Sequence, residues 1–173
     1  MPAASFILGV LKNKRNINLH IVLIEPEIPQ NTGNIARTCA AVGARLHLVG
    51  KLGFSLEDRY LKRAGLDYWP LVEVCHHPDY AAYLREFPHA DRYFLSTKGQ
   101  QTYSDVRFPP DVHLVFGRET AGLPPEILEQ AGDHLIRIPM VDAARSLNLS
   151  NSVAIVVYEA MRQHSFPVRP SRS

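Results

Sequence analysis

The chain has 173 residues, 46% hydrophobic and 21% charged, with a formal net charge of +2. That composition describes one soluble globular domain whose core needs neither disulfide nor metal to hold it. The small positive surplus permits contact with nucleic acid without arguing for it, and no apolar stretch is long enough to span a bilayer.

Cys39 and Cys75 stand far apart without a Cys-x-x-Cys spacing and read as reduced thiols of a cytoplasmic protein. The eight histidines include no HxxxH or HExxH pair, and the neighbours His76 and His77 would point apart on a strand, so no metal is expected. Phe6 to Leu11 is apolar but lacks the flanks of a signal peptide. Residues 1–16 read as a poorly ordered extension and 167–173 as a tail, with a single domain over 17–166.

Within the domain, His20 to Glu25 predicts a strand. Asn31 to Val42 predicts a helix capped by Asn31 or Thr32 and stopped at Gly43. Leu46 to Gly50 is a second strand. Ser55 and Asp58 form a capping box for a helix that ends near Ala64. Leu71 to Cys75 is a third strand, Asp79 caps a helix through Arg85, and Tyr93 to Ser96 is a fourth strand. Lys98 to Pro110 reads as irregular, with one weak extended piece near Val106. Val112 to Phe116 is the fifth strand, Pro124 opens a short helix to Ala131, and Leu135 to Ile138 is the sixth strand. Strands alternating with helices predict an α/β fold, a parallel six-stranded sheet flanked by helices on both faces.

Three strand ends carry unusual loops. The first runs from Glu25 to Asn34, with Arg37 one turn into the helix; the second is Gly117 to Pro124; the third is Arg145 to Asn151. In an open α/β sheet such loops gather around the site. Gly33, Gly117 and Gly122 would let backbone approach a ligand or take up positive φ, or merely turn the chain. Gly117 to Gly122 has the outer glycines of a P-loop, but Leu123-Pro124 replaces its Lys-Ser/Thr, and neither GxGxxG nor GxSxG is present. ATPase, dinucleotide and serine-hydrolase chemistry are thereby disfavoured. The third loop leads into Val153 to Met161, apolar almost all round, with Ser150 or Asn151 as the expected cap.

These loops carry a resemblance. Asn31-Thr32-Gly33-Asn34-Ile35-Ala36-Arg37, then Phe116-Gly117-Arg118-Glu119 with Gly122-Leu123, then Ile138-Pro139-Met140 with Ser146 to Ala154, resemble in order the three motifs of the SPOUT class of RNA methyltransferases. The likeness spans about Leu19 to His164. Glu25 to Pro29, Arg63-Ala64-Gly65-Leu66-Asp67-Tyr68 and Ile138 to Val141 are similar to the TrmL-type enzymes, which methylate the ribose 2′-oxygen of the tRNA wobble nucleotide, cytidine or uridine 34. The resemblance implies a deep C-terminal trefoil knot, which general topology rules would not suggest. It also implies a homodimer that needs neither metal nor membrane. S-adenosylmethionine is expected in the knot cleft against Leu95, Thr97, Gly117, Glu119, Ile138, Met140, Ser146 and Leu147, and the anticodon stem-loop of tRNA as the partner.

On the same resemblance, Arg37, Arg145 and Tyr158 are the catalytic candidates. Asn34, Arg37 and Arg145 are assigned to the RNA, Arg37 holding the phosphate beside the target and polarising the 2′-oxygen; its plainer alternative is a surface helix arginine. Arg59, Lys62 and Arg63 share a helix face at i, i+3 and i+4 spacing, where they either track RNA phosphates or form a solvated face. Two other functions fit the same motifs: a 2′-O-methyltransferase of ribosomal RNA, and a non-catalytic RNA-binding module on the same fold.

Overall fold

The computed structural model describes residues 17–167 apart from 58, 60, 62 and 64–67. The expected terminal extension, most of the tail, the Asp58 half of the capping box and Lys62 therefore lie outside the described residues. Within them, seven parallel strands form one sheet: β1 (Asn18–Ile24), β2 (Arg45–Val49), β3 (Val74–His77), β4 (Arg92–Leu95), β5 (Gln101–Thr102), β6 (Asp111–Phe116) and β7 (Leu135–Arg137). Their order is β3-β2-β1-β6-β4-β7-β5. The named helices are α1 (Pro29–Val42), α2 (Tyr80–Glu86), α3 (Pro125–Ala131) and α4 (Leu149–Gln163). None among the described residues is long and apolar enough to cross a membrane.

Alternation along the strands builds two cores. Leu19, Ile21 and Leu23 of β1 and Val112, Leu114 and Phe116 of β6 face α1 and α4, meeting Ile35, Cys39, Val153, Val156 and Val157. Val22, Ile24 and Val115 face the other way, onto Tyr83 of α2 and Ile127 of α3. Burial pushes the Cys39 thiol up to about 12, which keeps it protonated and inert. Helix α4 is less uniformly covered than its sequence suggested. Val153, Val156, Val157, Ala160 and Met161 are buried within the chain, while Ile155 and Tyr158 are exposed.

The sheet has seven strands where the sequence predicts six. Gln101–Thr102 pairs with Ile136 and Arg137 of β7, and two polar residues carry no alternation that a sequence could show. The extended piece near Val106 is not a strand. Its backbone is tied instead to the end of α4, where the Gln163 amide donates to the Val106 carbonyl and accepts from the Phe108 N–H, each at 2.9 Å. The third strand starts at Val74, not Leu71, because Trp69–Leu71 forms a 3₁₀ turn around Pro70. Helix α1 starts at Pro29 rather than behind an Asn31 or Thr32 cap; both side chains are buried inside it. Helix α4 is capped by Asn148, whose side chain accepts from the N–H groups of Ser150 and Asn151, the two residues expected to be caps.

The second core contains polar groups that no sequence spacing announced. His20 Nδ1 lies 2.8 Å from His47 Nε2, and His47 Nδ1 lies 3.0 Å from His77 Nε2. His77 Nδ1 faces the Glu86 carboxylate at 3.3 Å, so its proton points there and the chain of donors runs His20 to His47 to His77. His113 stacks on His20 at 4.0 Å and bonds the Tyr83 hydroxyl at 2.7 Å. His20, His47 and His113 each bring one ring nitrogen within 4.8 Å of the others. They do not form a convergent ligand set, however. Two of the rings are hydrogen-bonded to one another, and the stacked pair, tilted by only 9°, directs its in-plane lone pairs side by side.

Burial lowers all four histidines, His47 to about 3 and His113 to about 2 from the ordinary 6.5. His47 and His113 stay neutral in the fold where the unfolded chain binds their protons, below about pH 6.5. Their contribution to stability is therefore unchanged above that pH and falls as pH drops from about 6.5 toward 3, by about 1.4 kcal/mol per pH unit for each of the two. Urea midpoints between pH 7.5 and 4.5 should show that slope, and His47→Leu should flatten it even while lowering stability overall. An unchanged slope in this variant would show that His47 does not stay neutral in the fold.

Candidate active site

The carboxyl ends of the neighbouring strands β6, β4 and β7 open into a cleft of about 630 Å³, bordered by Ile28 and Asn31 from the loop and helix after β1. The loop after β6 closes on itself. Arg118 and Gly122 exchange two backbone hydrogen bonds, of 3.1 and 2.9 Å. A Cβ on Gly117 would collide with the backbone of Gly122 and Leu123, so this glycine is required by the loop itself, before any ligand approaches.

One hydrogen-bond network joins the three motif loops. Glu119 accepts from the backbone N–H groups of Glu27 at 2.8 Å and Ile28 at 3.0 Å, and from the Asn31 amide at 3.3 Å. Glu27 reciprocates, its carboxylate accepting from the N–H and hydroxyl of Thr120. Asn31 in turn accepts from the Asn148 amide at 3.0 Å, and Asn148 caps α4. The Ile28 cap of α1 contributes no side chain, so the carboxylate of a distant loop does that work instead. Arg118 adds an ion pair to Glu25 at 3.4 Å. Its buried Nε has no partner among the described residues, and Arg118 is one of the residues lining the cleft.

The eight residues expected at the cofactor all line this one cleft. Leu95 and Thr97 follow β4, Gly117 and Glu119 follow β6, and Ile138, Met140, Ser146 and Leu147 follow β7, with Arg145 beside them. The Glu119 oxygens are already taken up by the first loop, which makes its visible work that of a fastener. Asn31, Lys98, Asn148 and Ser152 also line the cleft and were not assigned from sequence. The signal for Asn31 and Asn148 lay in the motifs, which include both without assigning either to the cleft.

The remaining expected residues lie elsewhere. Asn34, Arg37, Arg59 and Arg63 are exposed, and none of them lines the cleft. Tyr158 is 48% exposed on the outer face of α4, likewise outside it. The Arg37 guanidinium lies over the Tyr68 ring, 4.8 Å from its centre. The residues expected at the cofactor are thus gathered in one cleft with Arg145, while Arg37 and Tyr158 lie outside it.

A cleft at the carboxyl ends of adjacent parallel strands, lined by apolar side chains such as Leu95, Ile138 and Met140 together with polar ones such as Asn31, Thr97 and Ser146, is the arrangement of the nucleotide-cofactor enzymes of the α/β class. Residues 18–158 match the SpoU rRNA Methylase family, and the chain belongs to that family. It is 51% identical over 151 residues, 86% of this chain and 96% of the other, to the tRNA (cytidine(34)-2′-O)-methyltransferase of Escherichia coli strain K12. A solved structure reported under "Structural insights into the 2-OH methylation of C/U34 on tRNA" superposes with a TM-score of 0.82 at 46% identity, covering 87% of this chain and 98% of that one. The SpoU methyltransferase AviRb of Streptomyces viridochromogenes, solved with AdoMet, superposes with a TM-score of 0.75 at 26% identity, covering 87% of this chain and 62% of that one.

Proposed function

We propose that the protein transfers a methyl group from S-adenosylmethionine to the ribose 2′-oxygen of cytidine or uridine 34 in the tRNA anticodon loop. The observation that carries this is the single cleft formed by the loops after β4, β6 and β7, in a chain half identical to a position-34 enzyme. The cleft fits the cofactor: at about 630 Å³ it is large enough, its lining combines apolar and polar residues, and Arg118, one of them, keeps a buried Nε without a partner among the described residues. When bound, S-adenosylmethionine supplies a methyl already activated on a sulfonium. The chain's own task is alignment of the nucleophile with that methyl. Arg145 stands at the cleft to meet the RNA backbone, and Arg37 holds the adjacent phosphate and polarises the 2′-oxygen. The proton leaves to a phosphate oxygen or water, in the cytoplasm where tRNA is found.

The reading includes a homodimer. Arg37 and Tyr158 are outside their own protomer's cleft, and the exposed Ile155 and Tyr158 give α4 a face for a second copy. Val157, by contrast, is fully buried within the chain and cannot report on a partner. Ile155→Asp should yield a folded monomer in sedimentation and lose methyl transfer; a dimer that survives it would move the interface off this face. The reading also includes the deep knot. Supporting it, the segment after β4 passes tightly over β7, with Ser96 donating to Ile136 O, Tyr103 donating to Arg137 O, and Gly99 against the Ile136 backbone with no room for a Cβ.

Incubating the dimer with cofactor and tRNA, then mapping 2′-O-methylation, tests the function. Methyl at nucleotide 34 is the expected result. Methylation of ribosomal RNA alone would transfer the reading to that substrate. Cofactor binding without methylation of any RNA would leave a binding module.

A further inference from the structure

Of the Arg63 to Tyr68 segment, singled out by its sequence, the described Arg63 and Tyr68 do not line the cleft, and Tyr68 lies against the residue proposed to meet the substrate. Arg37 is exposed, and its guanidinium meets the face of the Tyr68 ring. That contact differs in kind from an ion pair. A carboxylate would occupy the edge of the guanidinium and consume its N–H donors. A ring at 4.8 Å attracts the cation through its flat face and leaves the in-plane donors free. The ring has a firm base. Tyr68 opens the 3₁₀ turn Trp69–Leu71, its carbonyl accepts from Leu71 N–H at 2.8 Å, and Trp69 packs against the core that also holds α1.

We propose that Tyr68 is a positioning residue for Arg37, fixing the plane of the guanidinium while leaving its donors for the ribose-phosphate of the RNA. This rests on the reading that Arg37 meets that group. It gives the tyrosine of the segment a role in the reaction rather than in general attraction of RNA. An arginine on a solvated helix face otherwise samples many rotamers, and holding one of them removes an entropy loss from the transition state.

The test is a pair of substitutions read by single-turnover methylation of tRNA at saturating cofactor. Tyr68→Leu should lower the rate about tenfold. Tyr68→Phe, which keeps the ring, should stay within about twofold. Cofactor affinity and melting temperature should be unchanged in both. In an Arg37→Ala background Tyr68→Leu should have no further effect, which a merely structural role would not produce. Equal losses in the Leu and Phe variants, or an undiminished loss in the Arg37→Ala background, would overturn the proposal. A readout independent of activity is the Arg37 Nε–H resonance. Ring current should displace it in the unmodified protein and in Tyr68→Phe, and Tyr68→Leu should release it. A resonance that Tyr68→Leu does not move overturns the pairing, whereas a displaced resonance in a protein that methylates no tRNA overturns only the assigned function.

Discussion

Replacing Arg37 with alanine is expected to lower single-turnover methylation of tRNA at least a hundredfold, on the order of 3 kcal/mol in the transition state, with cofactor affinity nearly unchanged. The separation follows from geometry. Arg37 is exposed on α1 and outside the cleft lining, so its removal disturbs no wall of the cleft proposed for the cofactor. Arginine is too basic a side chain to act as general base, so the role proposed for Arg37 is that of a fixed array of donors on phosphate and 2′-oxygen. Arg37→Lys should therefore rescue little, because a point charge replaces neither the fork of donors nor the flat surface stacked on Tyr68. Calorimetric titration with S-adenosylhomocysteine alongside rapid-quench methylation measures the two quantities separately. If Arg37→Ala abolished cofactor binding while transfer survived at saturating cofactor, the first motif would belong to the cofactor side.

The cleft lining was legible in the sequence because the residues expected at the cofactor sit in three contiguous loops, each directly after a strand. Leu95, Gly117, Ile138 and Ser146 come together once the strands are parallel and adjacent. What holds the loops together was harder to read. Glu119 spends its oxygens on Glu27, Ile28 and Asn31, some ninety positions earlier, and nothing in its own neighbourhood shows that. The cap of α4 was misplaced because Asn148, Ser150 and Asn151 are all good caps, and only the bond from Asn148 to Asn31 puts the first of them at the helix start. The histidine chain was invisible for a similar reason. Its members come from separate strands, and a search for local ligand spacing cannot find residues that only sheet register aligns. Arg37 and Tyr158 lie outside the cleft of their own chain, where a reading of one chain's motifs had no means to place them.

Gly117→Ala is expected to weaken S-adenosylhomocysteine binding at least a hundredfold, on the order of 3 kcal/mol, and Gly122→Ala far less. The two glycines stand in the same loop but are required for different reasons. Gly122 has φ +68 with open space where a Cβ would go, so alanine there carries only the cost of a left-handed residue, about 1 kcal/mol. At Gly117 the added carbon would run into the backbone of Gly122 and Leu123, and backbone cannot rotate out of the way as a side chain can. The paired hydrogen bonds between Arg118 and Gly122 must open, which displaces the cleft wall. Glu119 moves with that loop, so the N–H groups of Glu27 and Ile28 lose their acceptor and the entry to α1 loosens as well. Valine at 117 should be no better than alanine, since the first added carbon already does the damage. Circular dichroism of each variant establishes that the sheet is intact, and calorimetry gives the affinity. Wild-type affinity in a folded Gly117→Ala protein would show that this loop is not a wall of the cofactor site.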